Sequence, residues 1–164
     1  MYLREMRALV REDGGPRLAS AAVREPAAGE IAIEIAFAGV CRTDLAVADG
    51  RIAVARGRVL GHELAGRVLA VGDRVERIGP GDPVTAIPFI PCGGCTSCSD
   101  GGRCERPNWL GVDVDGAFAE HVCVPAMCVV RLPSGMSLVR GAYVEPVAAA
   151  LGALAVVERG ARVL

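Results

Sequence analysis

The run Pro91-Cys92-Gly93-Gly94-Cys95-Thr96-Ser97-Cys98, with Cys104 six residues further on, places four cysteines within thirteen residues. Two overlapping C-x-x-C units and a fourth thiol are typical of a tetrahedral metal site, because a two-residue spacer lets neighbouring cysteines reach one ion. Zinc is well served by four thiolates, and such a site leaves no coordination position open for chemistry. We therefore interpret this cluster as a structural zinc site that shapes a lobe over about residues 91–107.

Disulfide bonds are the competing explanation for the cysteines. The chain holds seven of them, an odd number, and its N-terminus is polar, without the apolar segment of a secretory signal. The close C-x-x-C packing also favours metal binding over pairing. We therefore expect a reducing, cytoplasmic location, with Cys123 and Cys128 serving as ordinary packing residues.

The composition limits the fold and the partners. Among 164 residues, 52% are hydrophobic but only 4% are aromatic, and there are 21 glycines. These values favour one mainly β domain of short strands joined by tight turns around an aliphatic core. The net charge of −1 provides no field for nucleic acid or for an anionic membrane surface. The longest apolar stretch, residues 146–157, is too short to span a bilayer, so we predict a buried helix there.

Hydrophobic patterning places the elements. Strands are predicted over residues 6–10, 18–23, 31–37, 61–72, 83–88, 116–124 and 127–132. A short helix is expected from Thr43, and the Ala- and Leu-rich segment 145–158 predicts a longer helix that ends at Arg159-Gly160. Residues 161–164 resemble the start of a further buried strand.

A second set of potential metal ligands is scattered along the chain: Cys41, His62, Glu63 and Glu145. Taken alone, Cys41 is more often a buried thiol, and His62 more often a capping or packing residue. Catalytic zinc sites use three mixed N, S and O ligands and keep a fourth position open. Because the chain has only two histidines, a Cys/His/carboxylate set is the catalytic site that it can build.

These residues stand in motifs that resemble the zinc-dependent medium-chain alcohol and polyol dehydrogenases. Gly39-Val40-Cys41-Arg42-Thr43-Asp44 is similar to the family's first-ligand motif, and Gly61-His62-Glu63-x-x-Gly66 to its second-ligand signature. Further similar segments follow in the family's order: Gly81-Asp82-x-Val84, the four-cysteine run, Asp115-Gly116-Ala117-Phe118-Ala119-Glu120 and Glu145-Pro146-Val147. The resemblance extends from residue 6 to residue 164.

The resemblance implies a fold and its limits. The expected architecture is a GroES-like, partly open β-barrel over residues 1–160, with a zinc-binding lobe and a C-terminal helix. Residues 161–164 would begin a Rossmann domain that this chain lacks, since no G-x-G-x-x-G follows a strand here. NAD or NADP would therefore bind through a domain absent from the chain, and the chain alone is expected to be inactive.

The resemblance also implies roles for single residues. Cys41, His62 and Glu145 would bind a catalytic zinc, with Glu63 as a nearby or alternative ligand. The carboxylate at Glu145 matches the sorbitol- and threonine-dehydrogenase-like branch. Three further roles are implied: Thr43 would take the substrate hydroxyl proton, Asp44 would hold the free N–H of His62, and Arg42 would contact the cofactor pyrophosphate.

Together these roles imply two zinc ions per chain and oxidation of a secondary alcohol, polyol or sugar-like substrate to a ketone, or the reverse. Substrate choice would depend on pocket loops around residues 51–58 and Trp109, and the intact protein would form a homodimer or homotetramer.

Two features depart from the family pattern. The gap before the fourth cysteine, residues 99–103, is shorter than usual, so a trimmed lobe is expected. Ala46 stands where some members carry a relay histidine. An alternative keeps the fold without the chemistry, as a stand-alone zinc-binding structural or interaction domain. A zinc-free quinone-reductase-like protein is disfavoured by Cys41, His62 and the cysteine cluster, and a co-chaperonin needs no thiolate cluster.

Overall fold

The computed structural model describes residues 5–155 and confirms a mainly β architecture. Its strands are β1 (Glu5–Glu12), β2 (Gly15–Ala22), β3 (Glu30–Gly39), β4 (Glu63–Val71), β5 (Pro83–Ala86), β6 (Phe89–Ile90), β7 (Asn108–Trp109), β8 (His121–Pro125) and β9 (Val129–Arg131). Its α-helices are α1 (Arg42–Ala48), α2 (Thr96–Ser99), α3 (Leu138–Ala142) and α4 (Val144–Leu154), with one 3₁₀ turn at Ala126–Cys128.

Three antiparallel sheets make up the framework. The main sheet has five strands in the order β8-β3-β4-β5-β9, while β1 pairs with β2 and β6 with β7. Single bridges from Ala8 to Ala119 and from Val10 to Val59 join the first hairpin to the rest. Within residues 5–155 this pairing does not close into a continuous barrel, which agrees with the open form expected from the sequence.

The core is aliphatic, as the low aromatic content predicts. Its fully buried side chains come from strands of the main sheet, the segment before β4 and the loop after β7: Ile31, Ile33, Leu60, Leu64, Val84, Leu110 and Val124. Full burial of each such side chain contributes about 1.5–3 kcal/mol. This packing fixes β3 and β4, the two strands whose ends carry the candidate ligands.

The predicted strand over residues 116–124 is divided in the structure. Residues 116–118 pair with the segment before β4 instead: Gly116 N–H donates to the Val59 carbonyl, Ala117 to Gly61 and Phe118 to Leu60. Only the part from His121 onward joins β3 in the main sheet. Helix α3 was not predicted, because five residues are too few to show a helical period.

The prediction of a buried C-terminal helix is half wrong. A helix forms over Val144–Leu154, but none of its residues is buried, and Val147, Leu151 and Leu154 are 53%, 62% and 55% exposed. Apolar composition signals a face that packs in the folded protein, yet no element within residues 5–155 covers this one. The predicted helix end at residues 159–160 and the strand at 161–164 lie outside the described residues. No helix among residues 5–155 has the length and apolar character to cross a membrane.

At Gly66 the strands β3 and β4 leave no room for a side chain. A Cβ atom built at this position would lie 1.9 Å from the backbone oxygen of Glu34, although the φ angle of Gly66 is not in the left-handed region. The strands can therefore pack at this separation only because residue 66 has no side chain.

We predict that Gly66→Ala lowers the free energy of unfolding by about 2–3 kcal/mol, because the backbone of β3 must shift. Gly152→Ala, at an open position in α4, serves as the control and should stabilise the chain by about 0.5–1 kcal/mol. Urea unfolding of both variants tests this. Equal stability of Gly66→Ala and the parent chain would show that the close approach is not rigid.

Candidate metal centres

Strand pairing brings Cys41, His62 and Glu63 together. Strand β3 ends at Gly39, two residues before Cys41, and the antiparallel β4 begins at Glu63. One donor atom of each of the three residues lies within 4.8 Å of the others. His62 and Glu63 are 2% and 9% exposed, and Cys41 is half-buried. The three residues that the sequence scatters thus form one compact S, N and O donor group.

The first turn of α1 supports this group. The Cys41 backbone N–H donates a hydrogen bond to Asp44 Oδ2 at 2.8 Å, which fixes the start of the helix. Asp44 Oδ1 lies 3.8 Å from His62 Nδ1. Asp44 therefore lies beside His62, at a separation too long for the hydrogen bond that the resemblance implies. Thr43 Oγ1 lies 3.7 Å from Cys41 Sγ, so its hydroxyl borders the donor group.

Two predicted site residues lie further out. Glu145, in the first turn of α4, is half-buried and falls outside the compact group. Burial raises the pKa of Glu145, the charge of His62 opposes this rise, and the nearby Glu63 adds to it. The Glu145 carboxylate is therefore close enough to interact electrostatically with His62 and Glu63. Arg42 is exposed on α1.

The donor chemistry of the group fits a zinc ion. His62 Nδ1 is buried, and it finds no hydrogen-bond partner in the described part of the chain. Glu63 as a residue is 9% exposed, and within residues 5–155 its carboxylate forms no hydrogen bond or ion pair. This carboxylate, beside the Cys41 thiol and the His62 imidazole, is therefore available to a cation. Thiolate, imidazole and carboxylate are the ligands found in catalytic zinc sites.

The four-cysteine cluster forms a second centre. The donor sulfurs of Cys92, Cys95, Cys98 and Cys104 all lie within 4.8 Å of one another. The cluster lies between the two strands of the β6–β7 hairpin, and α2 carries Cys98. The Cys92 N–H donates to Cys104 Sγ at 3.3 Å. The gap at residues 99–103 does not prevent the four thiols from converging.

Electrostatics in the cluster also favour a cation. Backbone N–H groups of Glu105 and Cys98 lower the pKa of the Cys95 thiol to about 6, which favours a thiolate. The hydrogen bond with the Cys95 sulfur raises the pKa of Cys98 to about 12. Four thiols at this spacing therefore do not all ionise to thiolates unless a positive ion compensates their charge. Outside the cluster, Cys128 is buried and Cys123 half-buried, as expected for packing residues.

Trp109 connects the two centres. Its ring centroid is 5.8 Å from that of His62 and 5.3 Å from that of Phe89, its cross-strand partner in the hairpin. The sequence indicated Trp109 as a pocket residue but gave no sign of Phe89. Beside this hairpin, an apolar cleft of about 270 Å³ runs from Thr85 and Phe89 to Glu145 and Ala148. Of the predicted ligands, only Glu145 lines this cleft.

Three glycines hold the segment that carries His62. A Cβ atom at Gly111 would lie 2.6 Å, and one at Gly116 2.1 Å, from the Gly61 carbonyl oxygen. Gly61 itself has a φ of 91° and lies against the ring of Phe118. Gly111 and Gly116 are thus required by backbone-to-backbone packing, and Gly61 by its φ angle and the Phe118 ring.

Comparisons with known proteins show the family of the chain. Residues 27–134 match the sequence family described as the alcohol dehydrogenase GroES-like domain. The chain is 34% identical over 152 residues to galactitol 1-phosphate 5-dehydrogenase of Escherichia coli strain K12, covering 90% of this chain and 44% of that protein. It is 34% identical over 131 residues to 2-dehydro-3-deoxy-L-galactonate 5-dehydrogenase of Pseudoalteromonas atlantica, covering 76% of this chain and 38% of that protein.

A solved structure shows the same arrangement of elements. A zinc-binding dehydrogenase from Sinorhizobium meliloti 1021, bound to NADP, superposes with a TM-score of 0.84 at 30% identity. The alignment covers 93% of this chain and 45% of that one. The chain thus spans less than half the length of these relatives.

We predict that Asp44→Ala weakens metal binding at the Cys41 group by about 10–100-fold, because the cap on Cys41 and the neighbour of His62 are both lost. Asp49→Ala is the matched control, since Asp49 follows the same helix and, among residues 5–155, its carboxylate pairs with Arg51 alone, at 2.9 Å on the surface. Competition for Zn²⁺ with a chromophoric chelator measures both. An equal effect of the two variants would contradict a specific role for Asp44.

Proposed function

Because the chain belongs to the family of alcohol dehydrogenase GroES-like domains, we propose that it is the catalytic domain of a zinc-dependent, NAD(P)-linked dehydrogenase. The reaction would interconvert a secondary alcohol and a ketone on a polyol or sugar-like substrate. The observation that carries this proposal is the convergence of Cys41, His62 and Glu63 on one point, with no other partner in residues 5–155 for the Glu63 carboxylate.

The proposed ligands follow from that convergence. Cys41 and His62 would hold the ion, Glu63 would lie beside it as a nearby or alternative ligand, and Glu145 would close the set from the start of α4. When bound, zinc supplies a Lewis acid that lowers the pKa of an alcohol. The carboxylate of Asp44 would keep Cys41 and the imidazole of His62 in place.

The remaining chemistry falls to the chain's own residues. The Thr43 hydroxyl, next to Cys41, would accept the proton of the substrate hydroxyl. Trp109 and the apolar cleft beside β6 would exclude water and contact the substrate's carbon chain. Arg42, exposed on α1, would reach the pyrophosphate of the cofactor, a contact that suits a planar guanidinium.

The names of the relatives support the substrate class. Two of them are 5-dehydrogenases of a galactitol phosphate and of a deoxy-galactonate, and the solved relative holds NADP. We therefore propose NAD or NADP as the cofactor, bound by a further domain for which residues 161–164 would be the start. Residues 1–160 would be the catalytic domain. A cytoplasmic location and assembly into a homodimer or homotetramer complete the proposal.

The four-cysteine cluster would hold a second, structural zinc ion that shapes the lobe at residues 91–107. The stand-alone zinc-binding module, considered on the sequence, differs from this proposal in one measurable respect. A module without dehydrogenase chemistry needs only the closed four-thiolate site, whereas a dehydrogenase domain also needs the group at Cys41.

We predict close to two zinc ions per chain by elemental analysis of the purified protein. Cys41→Ser should bind one, because only the site at Cys41 is lost. Cys104→Ser should also bind one and in addition be less stable, because the lobe loses its metal. Cys128→Ser, a buried cysteine outside both groups, is the control and should keep two.

One zinc ion in both the parent chain and Cys41→Ser would overturn the proposal. That result would leave only the structural site and would favour the module. A parent chain with two zinc ions, one of them lost in Cys41→Ser, supports the dehydrogenase domain.

A further inference from the structure

Gly39 is a glycine that the backbone does not require. It is the last residue of β3 and has no positive φ angle, in contrast to eleven other glycines of the described chain. Glycine weakens a strand, because it has no side chain to pack and loses more entropy on folding. Its presence at the end of β3 therefore needs a reason other than chain conformation.

The space that a side chain would fill at Gly39 is taken by Glu63. A Cβ atom built on Gly39 would lie 2.0 Å from Glu63 Oε2, 3.1 Å from its Cβ and 3.2 Å from its Cδ. The two residues are directly opposed in the β3–β4 pairing. Side chains of opposed residues in an antiparallel pair point to the same face, so the Glu63 carboxylate lies across the position of residue 39.

Nothing else in the described chain holds this carboxylate. Glu63 is 9% exposed, and no backbone N–H, hydroxyl or arginine of residues 5–155 donates to it. Its position beside Cys41 and His62 is therefore set by the shape of the space around it. The position that a side chain of residue 39 would fill is part of that space.

We propose that Gly39 is a positioning residue whose missing side chain seats the Glu63 carboxylate within the donor group. The inference rests on the proposed zinc site at Cys41 and deepens it. A methyl group at residue 39 would force Oε2 to retreat by more than an ångström to reach ordinary contact. The carboxylate would then leave the position from which it faces Cys41 and His62.

The clash at Gly39 differs in kind from the clash at Gly66. The hard conflict at residue 39, at 2.0 Å, is with the far end of a flexible side chain, and the contacts of 3.1 and 3.2 Å to Glu63 need shifts of only a few tenths of an ångström; the atom in conflict with residue 66 is backbone. A carboxylate can turn aside at little cost, but a strand cannot. We therefore expect Gly39→Ala to fold almost as stably as the parent chain while its metal site is altered.

The experiment measures Zn²⁺ affinity at the Cys41 group by chelator competition, together with urea unfolding of the metal-free chain. Four chains are compared: the parent, Gly39→Ala, Glu63→Ala, and the double variant. Gly79→Ala is the matched control, since a Cβ there meets nothing within 4 Å and its φ is ordinary. We expect Gly39→Ala to weaken binding by about 10–100-fold, the range typical of residues that orient a ligand.

The double variant identifies the cause. Once Glu63 has no carboxylate to displace, Gly39→Ala should cost little further affinity, and the control should bind as the parent does. Parent-like affinity in Gly39→Ala would overturn the inference, as would an equal loss with and without the Glu63 carboxylate. A failure of the proposed function gives a different result, because the parent chain itself would then lack the second zinc ion. That result would also overturn the inference about Gly39.

Discussion

The pairing register of β3 with β4 is the constraint on which the candidate catalytic group depends. Side chains alternate between the faces of a strand, so a slip of one residue would carry Glu63 to the opposite face and move it away from Cys41. Two irregularities interrupt the pairing: one leaves Leu69 of β4 without a partner, and the other leaves Ala36 of β3 without one. The buried Ile31 and Ile33 of β3 pack into the main core and oppose any slip.

Much of this arrangement follows from local sequence. The spacing of four cysteines within thirteen residues predicts one cluster, because two-residue spacers let neighbouring thiols reach a single ion. The group at Cys41 is harder to predict, because a helix and a long loop separate residues 41 and 62. Only the resemblance of their motifs to a known family predicts that the two residues lie together. The predicted strand over residues 116–124 is longer than the observed one. The pattern of apolar residues does not show that residues 116–118 pair with residues 59–61.

Other features depend on distances that no sequence pattern contains. The separation of 3.8 Å between Asp44 and His62 follows from the entry angle of α1, while the sequence places the two only as neighbours. The exposure of α4 has a different cause. An apolar helix sequence predicts that the helix is buried, but it does not show which surface covers it. The role of Gly39 is also invisible in sequence, because a glycine at the end of a strand most often marks a turn.

The two proposed metal centres differ in what they require from the protein. Around the Cys41 group, a complete hydrophobic core holds the strands, so the donors are placed before any ion arrives. In the lobe at residues 91–107 only Cys95 is buried, and two short strands of two residues each frame it. Such a segment buries too little apolar surface to offset its ordering entropy, so a bound ion must supply the difference. Because Trp109 ends that hairpin and lies against His62, the structural ion would also fix one wall of the catalytic group. The coupling between the two centres would thus run through a single aromatic side chain.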